Sequence, residues 1–406
     1  MELIKIAWRN IWRSKTRSLV VIAAVCIGMT GGIFASAIMF GMMDSRVETA
    51  IATEVAHIQL HNPDFVLNQD QEFIIENADE LETQISKIDG VNVCSRLKIN
   101  AMASSAETGT GIIINGIEPD KEIKVSDLNT KLTKGDYFAE DKSNQIFVGE
   151  KFAEKLNLDI RSKVVLTFQD NTGTITGGTF RVCGIYKTSN NMYDEMQVFV
   201  RKSDLAEITL DDMSSAHEIA VLIDDNERLM EVTDEIKEIA GDKILVQNWK
   251  ELSPDLAMIT DMMGQFGTIL VFIILMALAF GIINTMLMAI LERKKELGML
   301  MAVGMNRRKI RRMITWETIF LTVTGTIVGM GFSYVLISFF AERGINLNMY
   351  AEAFEELGYS SMLYPVLNTE FFIQVTILTV ITALFAAIFP IRRAIKMNPA
   401  EVLRTE

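Results

Sequence analysis

Four windows of this sequence contain no Asp, Glu, Lys or Arg: Ser18 to Met43, Met262 to Leu291, Thr318 to Ala341 and Phe371 to Ile391. Each is long enough to cross a hydrocarbon layer of about 30 Å as a helix. A soluble fold would have to bury all four as central helices of one small protein, so they are read as transmembrane helices. Residues 1–43 also resemble a secretory leader, with a basic opening of Lys5, Arg9, Arg13, Lys15 and Arg17 and an Ala35-Ser36-Ala37 triplet. The apolar run is about twice the usual apolar core of such a leader and continues past that triplet, so the first helix is expected to be retained.

Charge orients the spans. The stretches before the first window, between the second and third, and after the fourth hold 5, 8 and 4 Lys/Arg, which is 17 of the chain's 39. Residues 44–261 carry 41 acidic and 21 basic side chains, and residues 342–370 carry five acidic and one basic. Lys and Arg in short flanking loops favour the cytoplasm. Both termini are therefore expected on the cytoplasmic side of a membrane, with the large acidic domain outside. An anionic domain and short membrane-flanking basic clusters argue against nucleic acid as a partner. Anionic headgroups suffice to explain the basic clusters.

The expected layout begins with an amphipathic inner-surface helix over 1–17, where Leu3, Ile4, Ala7, Trp8, Ile11 and Trp12 share one face. Spans follow at 18–43, 262–291, 313–341 and 371–391. An outer domain occupies 44–261, a cytoplasmic loop 292–312, an outer loop 342–370 and a cytoplasmic tail 392–406. Within the outer domain, alternating runs such as VAHIQLH and GIIINGI read as strands, and ADELETQISKI as a helix, which gives an α+β class. VVLTF and TFRVCGIY read as a hairpin with a long flexible tip, QDNTGTITGG. Two cassettes echo weakly: IFVGEKFAEKL with VFVRKSDLAEI, and LETQISKIDG with VTDEIKEIAG. From Ser253 and Pro254 the helical pattern runs unbroken to about Lys295, twice what the membrane needs, so its outer part is expected to form a stalk.

No phosphate-binding loop of the G-x-x-x-x-G-K-[ST] type occurs. His57 and His61 fall on an apparent strand with no ligand cluster nearby, and His217 stands alone; all three are expected at the surface, with no metal. Cys26 lies in the first span, and the spacing of Cys94 and Cys183 leaves both a disulfide and two free thiols open. Glu317 lies inside the third span, where a carboxylate needs compensation from Arg311, Arg312 or the N-terminal helix. Anchoring at the interface is favoured over proton coupling, since a single peripheral acid gives no relay. Gly28 and Gly32, and Gly325 and Gly329, form G-x-x-x-G pairs for close helix packing, within the chain or between subunits.

Between the second and third windows, Leu297 to Val303 is an apolar strip interrupted by Gly298, closed by Gly304 and flanked by charge. It reads equally as a docking surface or as a loop dipping into the headgroups. ERKKELGMLMAVGMNRRKIRRMITWETIFL resembles the signature of the FtsX-like permease family, E-[RK]-x-x-E-[IL]-G-[IM]-L-x-A-x-G followed by a basic turn and a Glu-containing helix. FPIRRAIKMNPAEVLRTE resembles that family's ending, and one span, a large outer domain and three further spans match its layout.

The resemblance implies a non-enzymatic, multi-pass transmembrane subunit of a type VII ABC transporter in the bacterial inner (cytoplasmic) membrane, with cytoplasmic termini and a large, MacB-like periplasmic core domain. It pairs with a second permease subunit, identical or a paralogue, and receives a separate ABC ATPase that holds the ATP and Mg; no cofactor belongs to this chain. The resemblance makes Glu292, Glu296, Leu297, Gly298, Met299, Leu300, Ala302 and Gly304 the ATPase-coupling surface, braced by the N-terminal helix, with movement passed outward by mechanotransmission. The long outer domain differs from the cell-division subgroup, and only 17 residues precede the first span, unlike efflux members with a fused N-terminal ATPase. AHIQLHNPDF is most similar to the lipoprotein-releasing Lol permeases. That subgroup implies a lipoprotein substrate passed to a periplasmic carrier, with Gln169, Asp170, Asn171, Gly173 and Gly177 at the carrier-contacting hairpin. Export of peptides or drugs, and ATP-driven signalling to an envelope enzyme, are the alternatives.

Overall fold

The computed structural model describes residues 2–13, 15–106, 108–139, 142–170, 172–209 and 212–395. They divide into two compact units, one of residues 1–43, 260–346 and 362–406, the other of residues 44–259 and 347–361.

Among the described residues, four helices are long and apolar enough to cross a membrane, and the first unit holds their apolar stretches. Their bounds are Lys15–Thr49, Pro254–Glu292, Arg307–Arg343 and Thr369–Ile395. The first continues as a π-helical turn, Ala50–Val55, and the second is one helix of 39 residues, about 58 Å by the rise per residue. Val25, Met29, Leu278, Ile282, Ile314 and Ala383 are among the residues that close the helix–helix core. Phe272, Phe280, Phe332 and Phe385 face outward, as side chains bathed in lipid do.

All four predicted packing glycines lie at contacts within this chain. A Cβ on Gly325 would lie 2.8 Å from the Val25 Cβ, and one on Gly329 would lie 3.2 Å from the Cys26 Cα, so the first and third spans meet nearly backbone to backbone. Gly28 and Gly32 instead receive the side chains of Leu278 and Ile274 from the second span. Gly41 makes the tightest approach, because a Cβ there would overlap the carbonyl oxygen of Tyr364. The same crossing is pinned by Val366 N–H donating to Ala37 O at 3.0 Å.

The second unit is built on a ten-stranded sheet. Its strands are β1 (Ile58–His61), β2 (Val91–Ser104), β3 (Gly109–Ile117), β4 (Leu132–Gly135), β5 (Gln145–Gly149), β6 (Lys163–Gln169), β7 (Ile175–Tyr186), β8 (Gln197–Arg201), β9 (Glu218–Ile223) and β10 (Leu245–Asn248). The order is β10-β1-β9-β2-β3-β8-β5-β7-β4, with β6 pairing β2 and β7. In the first block, β10-β1-β9-β2, all neighbours are antiparallel. A helix joins β1 to β2 (Ala78–Ile85) and another joins β9 to β10 (Leu229–Ala240). That is the split βαβ arrangement of ferredoxin-like folds, with β3 to β8 inserted between its halves.

The weak sequence echoes follow this duplication. LETQISKIDG and VTDEIKEIAG contribute the two equivalent helices, while the other pair of cassettes supplies β5 and β8, adjacent antiparallel strands each followed by a helix. β2 belongs to both blocks: Val91 to Arg96 pair with β9, and Leu97 to Ser104 pair with β3. The inserted block alternates cleanly along β6, where Val164, Leu166 and Phe168 point into the core and Lys163, Val165, Thr167 and Gln169 point out.

Candidate coupling site

The apolar strip between the second and third spans folds as a short helix, Lys294–Ala302, for reasons visible in its local sequence. Gly304 ends it at φ +97°, which a side chain would disfavour. Gly304 N–H donates to Met301 O at 3.1 Å and Met305 N–H to Leu300 O at 2.9 Å, the paired bonds of a Schellman stop. Two residues later the Asn306 side chain accepts from Arg308 N–H at 3.1 Å and starts the third span. The sequence Gly-Met-Asn is therefore a helix stop followed directly by a helix start.

The helix divides the predicted coupling residues between two faces, which corrects the expectation of a single surface. Leu297 is 2% exposed and Gly298 is buried, because both turn inward toward Ile314 and the other spans. Leu300 is half-buried against the same core. Met299, 56% exposed, and Val303, 85% exposed, occupy the outward face with Ala302. Glu292, Glu296 and Gly304 are exposed at its ends. Val303 was missed, although it lies four residues beyond Met299 in the same strip.

Arg293, the one residue between the second span and the short helix, was also missed. Its Nη1 donates to both carboxylate oxygens of Glu317, at 3.1 and 3.0 Å, and its Nε donates to Glu296 Oε2 at 3.0 Å. Glu317 is 5% exposed. Arg293 is thus a partner of Glu317 beyond those expected from the sequence, while Arg311 and Arg312 are exposed on the helix that carries Glu317. Val21, Met286, Leu297 and Leu321 surround the pair, leaving a void of about 20 Å³, room for about one water. The N-terminal helix, Glu2–Arg13, buries Ala7 and Ile11 and sets Trp8 edge-on to Phe320 of the third span, with ring centroids 5.3 Å apart.

In the outer unit the three histidines are buried, contrary to expectation, since each ring serves a main-chain group. His57 Nδ1 accepts from Ile223 N–H at 3.1 Å and His217 Nδ1 from Lys98 N–H at 3.2 Å. His61 Nδ1 lies 3.0 Å from His217 O, and its ring stacks on Phe65. Beside them Arg96 bonds Glu122 at 2.6 and 3.0 Å and Glu218 at 2.7 Å, while Lys98 Nζ lies 2.6 Å from Glu218. Burial pushes the Glu218 carboxyl up, but Lys98 and Arg96 outweigh it and hold it down to about 2. Cys94 and Cys183 are both free thiols. Asp79, Glu82 and Glu118 cluster closely enough for a cation, but Lys121 Nζ bonds Glu82 and Glu118 at 2.9 and 3.1 Å.

The hairpin tip is shorter than predicted. β6 and β7 stay paired out to Gln169 and Ile175. Asp170 Oδ1 then accepts from the N–H groups of Thr172 and Thr174, each at 2.9 Å, across a turn with Gly173 at φ +79°. Gly177, read as a loop residue, lies within β7, where a Cβ would overlap the Leu166 carbonyl oxygen. Asn171 lies outside the described residues, as does the chain's ending beyond Ile395.

Residues 18–239 match the family of the MacB-like periplasmic core domain, and residues 268–399 match the FtsX-like permease C-terminal family. An uncharacterized ABC transporter permease of Methanocaldococcus jannaschii is 28% identical over 237 residues, covering 56% of this chain and 55% of that protein. The lipoprotein-releasing system transmembrane protein LolC of Xylella fastidiosa is 22% identical over 307 residues, covering 72% of this chain and 73% of that protein. The pyoverdine export ATP-binding/permease protein PvdT of Pseudomonas fluorescens is 21% identical over 428 residues, covering 100% of this chain and 60% of that protein. Among solved structures, the periplasmic region of MacB from Actinobacillus actinomycetemcomitans aligns with a TM-score of 0.37 at 15% identity, covering 52% of this chain and 97% of that one. The extracellular domain of YknZ from Gram-positive bacteria aligns with a TM-score of 0.34 at 17% identity, covering 47% of this chain and 99% of that one.

Proposed function

Given that this chain belongs to the family of ABC transporter permeases with a MacB-like periplasmic core domain and an FtsX-like C-terminal region, we propose that it releases lipoproteins from the inner membrane by mechanotransmission. In this reading the chain is non-catalytic. A separate ATPase holds ATP and Mg and docks on the helix Lys294–Ala302 from the cytoplasm, beside a second permease subunit. Closure of the ATPases displaces that helix, and the continuous second span carries the movement to the periplasmic domain. The lipoprotein is then lifted from the outer leaflet toward a periplasmic carrier, which meets the β6–β7 turn.

The observation that carries the reading is the outward face of Met299, Ala302 and Val303, an apolar patch on a short helix between two spans. Exposed apolar patches rimmed by polar residues mark protein or membrane interaction sites. Support for the substrate comes from the Lol relative, which aligns over 72% of this chain. A second reading, export of a peptide or small molecule, is favoured by similarity to a pyoverdine exporter and to a macrolide exporter.

Two measurements test the proposal. Met299→Asp and Val303→Asp should each abolish co-purification of the ATPase while membrane insertion persists, and unchanged co-purification rejects the docking face. Depletion of the protein should trap lipoproteins in the inner membrane; their normal arrival at the outer membrane rejects the substrate and leaves the export reading.

A further inference from the structure

A helix that receives a push transmits it only if it is fixed to what must move. The helix Lys294–Ala302 is joined to the second span by the single non-helical residue Arg293. A one-residue joint between two helices is a hinge unless something else locks it. Leu297 and Gly298 are its two buried residues, and Leu300 and Met301 pack partly against the same core. A further tie is polar. The Arg293 guanidinium bonds Glu296 in the first turn of the short helix and, 24 residues away, both oxygens of Glu317 in the third span. One planar fork thus fastens the hinge, the short helix and the next span.

Neutralising Glu317 alone does not account for this arrangement. Arg311 and Arg312 lie about one and a half turns from Glu317 on its own helix, yet both are exposed and the bond goes to the hinge. The Glu317 side chain is 7% exposed and that of Arg293 18%, so the pair is screened less than one at the surface.

We propose that Arg293 and Glu317 are a positioning pair that latches the short helix to the third span, so that displacement by the ATPase reaches that span and is not absorbed at the hinge. The proposal rests on the docking reading above. Without the latch, the ATPase still binds Met299 and Val303, but the short helix swings on its joint.

The test uses the full chain with its ATPase in nanodiscs, spin-labelled on cysteines replacing Lys295 and Val323. Both side chains are exposed, one on the short helix ahead of Met299 and Val303 and one on the third span. In the otherwise unaltered protein the interspin distance should stay single and narrow before and after vanadate trapping with ATP. Arg293→Gln and Glu317→Gln should each keep the ATPase bound but give a broadened, shifted distribution on trapping. The charge swap R293E/E317R should restore the narrow one. Arg293→Lys, which keeps the charge without the planar fork, carries the test if Arg293→Gln does not fold, and partial broadening is expected. A narrow, unmoved distribution in a folded single variant with ATPase bound overturns the latch. ATPase that remains bound to Met299→Asp overturns the docking reading instead.

Discussion

Burial draws the His57 imidazole from its usual 6.5 down to about 4, while Lys98 and Arg96 hold Glu218 near 2 against an ordinary 4.5. Both groups bind fewer protons folded than unfolded, so each stabilises the outer unit above its unfolded value and that contribution is lost as pH falls toward its folded value. Acid should therefore weaken this block in two windows, from 6.5 to about 4 through His57 and from 4.5 to about 2 through Glu218. Hydrogen exchange of the β9 amides, corrected for intrinsic rates, should accelerate in both windows. His57→Gln, which does not titrate, should flatten the upper one; an unchanged upper limb would show that another group is responsible. Removing Arg96 is harsher at any pH, since it takes the cation from buried Glu122 and leaves Glu218 to Lys98, a loss of about 3 to 5 kcal/mol.

At the scale of elements, two glycines of the first span make a controlled pair. Gly31 has nothing within 4 Å of where a Cβ would sit, whereas at Gly41 the Cβ would overlap Tyr364 O. Gly31→Ala should leave thermal stability unchanged or raise it by up to about 1 kcal/mol, the helix-propensity gain. Gly41→Ala should lower the Tm of the detergent-solubilised protein, and equal effects would refute the crossing. Such contacts also mark what the sequence could reveal. The spans were legible because absence of charge over 20 or more residues is a strong one-dimensional signal. The short helix was legible only in part: the strip's apolar character is local, but which side chains turn inward depends on Ile314 and its neighbours. Arg293 meeting Glu317 across 24 residues is tertiary, and the sequence offered the nearer arginines instead. Gly177 looked like a turn because a glycine required by strand crowding and one required by a left-handed backbone are the same letter. The histidines read as surface groups because their partners are main-chain atoms of β2, β9 and the β9 approach, invisible to side-chain patterning.

Across the outer unit, β2 is one strand shared by both blocks of the sheet, so the two blocks should unfold together. Phe180→Ala empties a fully buried site in the inserted block, at a cost of about 3 to 5 kcal/mol. It should raise exchange in β9 as well as in β6; acceleration confined to β6 would mean two independent domains. The chain enters the ferredoxin-like block just before β1 and leaves it just after β10, and these strands are antiparallel neighbours. Ile58 therefore stands opposite Asn248, so both tethers emerge from the same end of the ladder. Tension that separates them peels the strands rung by rung and does not shear the whole set at once. The first rung is doubled by Trp249 N–H donating to His57 O at 2.9 Å and by the capping box of Asn248 and Glu251. A fold pulled this way behaves as a zip fastener with a reinforced clasp, firm under light load and yielding from one corner once the clasp opens.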